Sequence, residues 1–574
     1  MKSLLIPRAL QLLLASTVYH GLSEARPASE YGQSIMNPGQ NRRGAVSSEA
    51  FECTHIGKDL LAKGGNAIDA IVGTAFCVGV IAPYHAGIGG GGFMLVRGPN
   101  SVYEAIDFRE TAPAGASEDM YKGRVEQSIH GGLSVAVPGE VRGLWYAHQK
   151  YGKLPWALVL EGAISVAEDG FILNADFQRY INSVLKGKST NFLSDDPSWA
   201  KDFAKNGQLK KEGSTITRKR YANTLREIAK KGAEEFYSGT IAKDLVETIQ
   251  KHGGVFELAD FKHYKVEVRD VLNTTHRGYR LFTLGAPASG AVSFNILNTL
   301  EGFKKPKSNR PQDWHNYIEA MRFGYGARGK LGDPELNHNV SSFEARMLDK
   351  DNSRRIRESI DPDQTQNVTA YDPYRVYAAE NHGTSHMVTA DNEGYAVSLT
   401  TTVNLLFGSL IMCEKTGVVL NNEMNDFSIP DVRNEFGFEP SKENFIRPGK
   451  RPLSSITPII IERKDGSFFA TVGAAGGSRI ISATTQVVWR IMSESLSIAK
   501  AVAEPRLHNQ LMPNTLVTEL SFPSKIVDDL RTRGHNITYV GPGLSIVQGI
   551  TQDRAGRFEA GSDPRQKNHH GESL

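Results

Sequence analysis

In the stretch AENHGTSHMV, Ala379 to Val388, a threonine stands directly after a glycine. A threonine hydroxyl becomes a useful nucleophile only with a base beside it. One arrangement supplies that base from the same residue. If the backbone is cut between Gly383 and Thr384, the new α-amine, with an ordinary pKa of about 7.7–8.0, can take the hydroxyl proton. A glycine before the cut permits the tight approach that an N-to-O acyl shift needs. Gly-Thr pairs are common, however, and on residue types alone Thr384 reads first as an ordinary strand residue.

Two other constellations carry less. Gly87–Gly92, GIGGGG, has the G-x-G-x-x-G spacing of a dinucleotide loop, but such a loop follows a strand and opens a helix. Here the predicted helix comes first and the strand FMLV after it, so these glycines are expected to serve close packing. His382 and His386 have the spacing of two zinc ligands on a helix. In a strand the same spacing sets the rings far apart. The chain contains no HExxH and no CxxC, and no metal is expected.

The segment after Gly383 must therefore be sheet. SHMVTADNEGYAVSLTTTVN reads as two strands joined at Asp391–Gly394, and ITPIIIERKDGSFFATVGAAGG repeats the device around Lys464–Gly466. Alternation puts Thr400 and Thr402 on one face of their strand and Thr401 on the other. Shorter strands are expected at Phe93–Val96 and Val102–Phe108. IGKDLLAKGGNAIDAIVGTAF, Ile56 to Phe76, reads as one helix that buries Leu60, Leu61, Ile68, Ile71 and Val72. Further helices are expected at Ala157–Ala167, Tyr221–Lys230, Ile241–His252, Phe294–Leu300, Trp314–Ala327, Ser478–Met492 and Ser497–Ala503. Strands and helices of both halves interleave without an internal repeat. One large α/β unit is expected, not the several domains that length alone implies.

Composition narrows the partners and the compartment. The 66 basic and 63 acidic residues leave a net charge of +3. With no Lys/Arg-rich run, neither nucleic acid nor an anionic membrane surface is an expected partner. Lys2 and Arg8 are followed by an apolar run from Ala9 to Tyr19 and small residues at Ser23 and Ala25. This is a secretory leader pattern, too short to anchor the chain in a bilayer. Arg26 to Arg43 form a polar arm. Asn273, Asn339, Asn367 and Asn536 each head an N-x-[ST] glycosylation triplet. Three cysteines in an oxidising compartment suggest one pair and one free thiol. A bridge between Cys53 and Cys77 would contribute roughly 3 kcal/mol by loop closure, and Cys413 reads as a buried bystander. The expected location is extracellular.

Many short motifs, in order and in register, resemble the γ-glutamyltransferase family. GTSHMV, AVSLTTTVNLLFGS, LNNEMNDFS, RPLSSITPII and VGAAGGSRI are similar to its small subunit, and VAEPRLHNQLMPN and GSDPRQ follow. Upstream, DFRETAP, GGLSVAVPGEVRG and LGAPASGAVSFNILN resemble its large subunit. The likeness runs from about Ala45 to Arg565. It is strongest to the animal branch, since Cys53 and Cys77 stand where that branch has its large-subunit bridge. This chain lacks the additional cysteine pair of some animal members, and Cys413 is extra. The resemblance implies an N-terminal-nucleophile hydrolase, an α/β fold arranged as an αββα sandwich. It would be made as one precursor, with a leader 1–25, a large subunit 26–383 and a small subunit 384–574 that share one core. Secreted members of the family occur, among other places, in insect venom glands.

By the same resemblance Thr384 is the nucleophile of both self-cleavage and turnover, and Thr402 positions and polarises it. Gly476 and Gly477 resemble an oxyanion hole, where backbone N–H groups are already oriented when charge develops. Arg109 resembles the clamp for an α-carboxylate, with Ser454 and Ser455 adding hydroxyls. Asn404, Glu423 and Asp426 resemble the acceptors of an α-ammonium. Taken singly each reads as a surface or strand residue; together they make two poles that fit a zwitterion. The implied reaction attacks the γ-glutamyl bond of glutathione or a related compound. The γ-glutamyl group then passes to water, or to the amine of an amino acid or dipeptide, without metal or organic cofactor. Two competing readings are an acylase on the same fold and a secreted non-catalytic relative. A plain acyl chain would leave buried charges unpartnered, and no matched residue is lost.

Overall fold

Two antiparallel sheets packed face to face carry the architecture of the computed structural model, which describes residues 42–307, 309–372, 374–377, 383–432 and 439–574. The leader 1–25, most of the arm Arg26–Arg43 and His382 lie outside the described residues. In chain order the strands are β1 (Gly44–Ser48), β2 (Gly91–Arg97), β3 (Tyr103–Phe108), β4 (Glu267–Arg269), β5 (Val271–His276), β6 (Tyr279–Leu284), β7 (Ser385–Asp391), β8 (Ala396–Thr402), β9 (Ile459–Glu462), β10 (Phe468–Ala475), β11 (Ile546–Gln552), β12 (Phe558–Ser562) and β13 (His570–Ser573). One sheet runs β13-β1-β7-β8-β2-β3-β4 and the other β12-β11-β10-β9-β6-β5. Strand β1 thus lies between two strands that follow residue 384. A cut at that position would leave the two segments sharing one sheet, and residues Gln40–Leu574 form a single compact unit.

Side-chain alternation sorts the layers. Met94 and Val96 of β2 and Met387 of β7 point to one core, shared with helices α1 (Phe51–Ala62), α2 (Ala67–Ile81), α3 (Glu140–Tyr151), α4 (Trp156–Asp169) and α5 (Lys219–Lys231). Phe93, Leu95, Val388 and Ala390 point the other way, to the core between the sheets. That core continues through Ile459–Ile461 and Val472 to α6 (Gly290–Glu301), α7 (Pro311–Arg328) and α8 (Arg479–Ser493). The order of layers is helix, sheet, sheet, helix. Both hairpins expected from the sequence form, with Ser385 opposite Thr401 and Ile459 opposite Val472.

One expected element is corrected. Ile56–Phe76 is not a single helix: α1 stops at Ala62 and α2 starts at Ala67. Gly64 takes φ +91°, in the left-handed region that ends helices. Asn66 then caps α2, accepting from the amides of Ile68 and Asp69 while Asp69 accepts the Asn66 amide at 2.9 Å. The break decides the cysteine geometry. A continuous helix would hold residues 24 apart at a distance of about 36 Å. The turn folds α2 back on α1, and Cys53 and Cys77 are bonded with their Cα atoms 5.2 Å apart. The GIGGGG run follows α2 and leads into β2, whose first two residues are Gly91 and Gly92, with the helix-then-strand order expected. A Cβ on Gly89 or Gly90 would overlap the carbonyl oxygen of Val419 or Thr402, so close backbone approach accounts for these glycines.

Candidate active site

The hairpin β7–β8 brings two threonines to one carbonyl. The Gly383 oxygen accepts the Thr402 hydroxyl at 2.7 Å and also the hydroxyl of Thr384. Thr402 Oγ1 accepts the Asn404 amide at 2.7 Å, which leaves its own proton free to point at Gly383. A Cβ at residue 383 would overlap the Asn404 carbonyl oxygen, so space alone requires glycine there. Asn404 has φ +74° and sends Nδ2 to the Asn422 carbonyl at 3.0 Å. Facing Thr384 is the turn between β10 and α8, where Gly476 and Gly477 have φ of +129° and +60°. Gly477 lines the pocket; Gly476 stands behind it, against Leu544 and Ser545.

The same pocket, about 270 Å³ with open solvent included, is lined by Arg109, Gly383, Thr384, Thr402, Asn404, Glu423, Asp426, Ser454 and Ser455. Arg109 follows β3 and is held by Asp107 Oδ1 on its amide at 2.9 Å and by the Pro452 carbonyl on Nε at 3.4 Å. One short 3₁₀ turn, Glu423–Asp426, presents both acids to the guanidinium, and each forms an ion pair with it. The carboxylate and ammonium poles expected from the sequence are therefore paired with each other. Burial opposes the guanidinium charge, but Glu423, Asp426 and Glu110 together raise the Arg109 pKa. Burial also lifts Glu423 well above the usual carboxylate range and raises Asp426, against the pull of Arg109. Asparagines of LNNEMNDFS hold the turn. Asn421 Oδ1 accepts the Glu423 amide at 3.0 Å, and Asn422 Oδ1 accepts the Leu405 amide at 3.0 Å. Ser454 is placed by its amide on the Pro287 carbonyl at 2.8 Å.

Several buried groups at this site were not singled out from the sequence. Glu110 lies beside Arg109, 3.7 Å away, and burial pushes its carboxyl up to about 8, with neither oxygen hydrogen-bonded to another described residue. Glu140, at the start of α3, takes the Thr401 hydroxyl on the reverse face of β8 and is likewise pushed up to about 8 by burial. Both acids sit inside quoted motifs, DFRETAP and PGEVRG, which is the signal that could have found them. His386 lies between the sheets, its Nδ1 2.8 Å from Thr400 Oγ1, and burial lowers its pKa to about 3. It is a neutral core histidine against Gly473. Away from the pocket, His315, Glu319 and His535 are buried together. Their atoms already bond to one another and to neighbours: His315 Nδ1 to His535 Nε2 at 3.0 Å, and Thr365 Oγ1 to Glu319 at 2.8 Å. Asn273, Asn339, Asn367 and Asn536 are all exposed, and Cys413 is buried with a free thiol.

The gamma-glutamyltranspeptidase family model matches residues 53–572. The chain belongs to this family. A glutathione hydrolase proenzyme of Arthroderma benhamiae is 45% identical over 92% of each chain. A glutathione hydrolase of Aspergillus flavus is 41% identical, covering 97% of this chain and 92% of its own. Among solved structures, a cephalosporin acylase from Bacillus halodurans superposes with a TM-score of 0.83 at 25% identity, covering 96% of this chain and 99% of its own. The sandwich of this gamma-glutamyltranspeptidase family member is that of the N-terminal-nucleophile hydrolases, as the sequence led one to expect.

Proposed function

We propose that this protein is a γ-glutamyltransferase and glutathione hydrolase that first cuts its own Gly383–Thr384 bond. The observation that carries the reading is a threonine pair on one carbonyl, in the same pocket as a buried guanidinium surrounded by three acids. In maturation Thr384 Oγ1 attacks the Gly383 carbonyl carbon while the Thr402 hydroxyl polarises its oxygen. The C–N bond breaks as the hydroxyl proton passes to the leaving nitrogen, which becomes the Thr384 α-amine, and water hydrolyses the ester. The products are a large subunit 26–383 and a small subunit 384–574.

In turnover the freed α-amine takes the Thr384 hydroxyl proton and Oγ1 attacks the γ-carbonyl of the donor. The oxyanion hole is assigned to the backbone amides of Gly476 and Gly477, of which Gly477 lines the pocket; each such donor is worth about 10²–10³ in rate. The leaving amine collects the proton, and an ester-linked γ-glutamyl enzyme remains. Water, or the amine of an amino acid or dipeptide, then releases it. Arg109, Ser454 and Ser455 hold the donor α-carboxylate; Asn404, Glu423 and Asp426 hold the α-ammonium. The Cys53–Cys77 bond and the four exposed sequons support an extracellular setting.

Denaturing gels and N-terminal sequencing test maturation: wild type should give two chains, the smaller starting at Thr384. Thr384→Ala should stay one chain and lose turnover by at least about a thousandfold, while Thr384→Ser should keep part of both. Substrate class is tested with a γ-glutamyl anilide against its des-amino analogue. The structural likeness to a cephalosporin acylase makes this the informative pair. Equal rates would replace the γ-glutamyl reading with an acylase.

A further inference from the structure

The residues that follow the two threonines share one support on the reverse face of the sheet. Alternation turns Ser385 away from Thr384, and its hydroxyl donates to Glu49 Oε1. Glu49 Oε2 accepts the Gln566 side-chain amide at 2.5 Å and lies 3.0 Å from His85 Nδ1. The backbone carbonyl of His85 accepts the Val403 amide at 2.9 Å. One carboxylate therefore holds the residue after Thr384 directly and, through His85, the residue after Thr402. Glu49 and His85 are each only 5% exposed. The rings of Tyr84 and Tyr180 pack on His85 at 4.6 and 4.4 Å.

The partners also straddle the cut. Glu49 and His85 precede residue 384, while Ser385 and Gln566 follow it. Once the Gly383–Thr384 bond is gone, Thr384 is a chain end, and chain ends fray unless tied down. The Ser385–Glu49 bond is a side-chain tie one residue inside that end. Misplacing a reacting group by about 1 Å can cost about a hundredfold in rate, so this tie bears on rate and not only on order.

We propose that Glu49, acting through Ser385 and His85, is a positioning residue that sets the Thr384 and Thr402 hydroxyls about the attacked carbonyl, both in the precursor and in the mature enzyme. The inference rests on Thr384 being the nucleophile. Burial alone would raise the Glu49 carboxyl, yet His85, Ser385 and Gln566 hold it below its usual value, in keeping with an ionised clamp.

The test uses Glu49→Gln, Glu49→Asp and Ser385→Ala in the full chain, with Thr384→Ala in parallel. Conversion to two chains is followed over time, and kcat and KM for a γ-glutamyl anilide are measured on the matured fraction. Expected are slower maturation and a kcat reduced about 10–100-fold in Glu49→Gln and Ser385→Ala, with KM within about twofold because the Arg109 cluster is untouched. Glu49→Asp should recover part of the loss. A merely structural role would reduce the yield of folded enzyme and leave kcat of the matured fraction unchanged; that outcome overturns the proposal. So do wild-type maturation and kcat in both variants. Should Glu49→Gln fail to fold, Ser385→Ala, which only removes a hydroxyl, decides by the same criteria. An inert Thr384→Ala alongside wild-type Glu49 and Ser385 variants removes the positioning role alone. A Thr384→Ala that matures and turns over removes the nucleophile reading and this one with it.

Discussion

Two of the buried charge clusters among the described residues are built differently. Near the C-terminus Arg506 and Arg565 meet Asp563 and Glu519. Asp563 Oδ2 accepts from Arg506 at 2.7 Å and from the Val547 amide at 2.9 Å, and Oδ1 accepts from Arg565 at 3.0 Å. Glu519 takes two Arg565 bonds at 2.6 Å. Two cations face two anions, and each of the four carboxylate oxygens accepts at least one hydrogen bond. Despite burial, Arg506 and Arg565 hold the Asp563 carboxyl below its usual value. At the pocket, by contrast, the single Arg109 guanidinium faces Glu110, Glu423 and Asp426, and all three acids are pushed upward. Arg328 adds a more distant positive field on Asp426, its Nε bonded to Ser289. The balanced cluster serves the fold. The unbalanced one sets a single guanidinium among three acids, and under the proposed function a substrate ammonium would supply the missing cation.

The largest effect should come from breaking the balanced cluster. Asp563→Asn turns an amide N–H₂ toward the two donors of one carboxylate oxygen and leaves the buried Arg506 without its counter-charge, at a cost of about 3–5 kcal/mol. The urea unfolding midpoint should fall accordingly, with KM of the surviving enzyme unchanged. Because the folded pKa of Asp563 is depressed, its stabilisation is present at neutral pH and is lost as pH falls through that depressed value. A KM change with no loss of stability would mean that the cluster reaches the pocket. Next in size is the covalent tie between α1 and α2. Replacing Cys53 and Cys77 together by alanine should cost up to about 3 kcal/mol and leave kcat/KM alone.

The pocket cluster should answer in the opposite sense. Asp426→Asn or Glu423→Gln should lower kcat/KM for a γ-glutamyl anilide about a hundredfold, as for loss of a charge-assisted bond pair worth about 3 kcal/mol. The unfolding midpoint should hold or rise, since a poorly compensated buried charge has been removed. The des-amino analogue should lose little. If both substrates suffer equally, the acids support the pocket wall and do not recognise an ammonium.

Much of this was legible in the chain, because neighbours in sequence stayed neighbours in space. The β7–β8 hairpin and the faces of Thr400, Thr401 and Thr402 follow from alternation and one turn. Glu423 and Asp426 fall on one 3₁₀ turn for the same reason. The α1–α2 break was misread because Gly64 and Gly65 interrupt an apolar periodicity that resumes in phase, although the Asn66–Asp69 capping box was there to be seen. What stayed hidden is long-range pairing of ordinary residue types. Glu49 and Ser385 are 336 positions apart; Ser385 stands inside GTSHMV, but nothing in the neighbourhood of Glu49 marks it as its partner. Glu110 sits beside the recognised Arg109, yet its raised pKa comes first from burial under β2 and then from Asp426, brought by a distant turn, and the nearby Asp107.

The smallest and most diagnostic effect is in pH. Acids whose pKa is raised become protonated at a higher pH than free carboxylates do, and a protonated Glu423 or Asp426 no longer attracts an ammonium. Burial raises both acids most; Glu110 and Asp426 add to the rise at Glu423, while Arg109 opposes it at both and Arg328 at Asp426. On acidification from neutral pH, KM for the γ-glutamyl anilide should rise, by about tenfold per unit once the controlling acid is protonated. KM for the des-amino analogue should stay flat or improve, because its uncharged end no longer faces two anions. The rate constant behaves differently: kcat for both substrates should climb through about pH 7–8, where the Thr384 α-amine loses its proton. A KM that follows pH identically for the two substrates would place the titrating group on the nucleophile side of the pocket, and the acids around Arg109 would have no part in it.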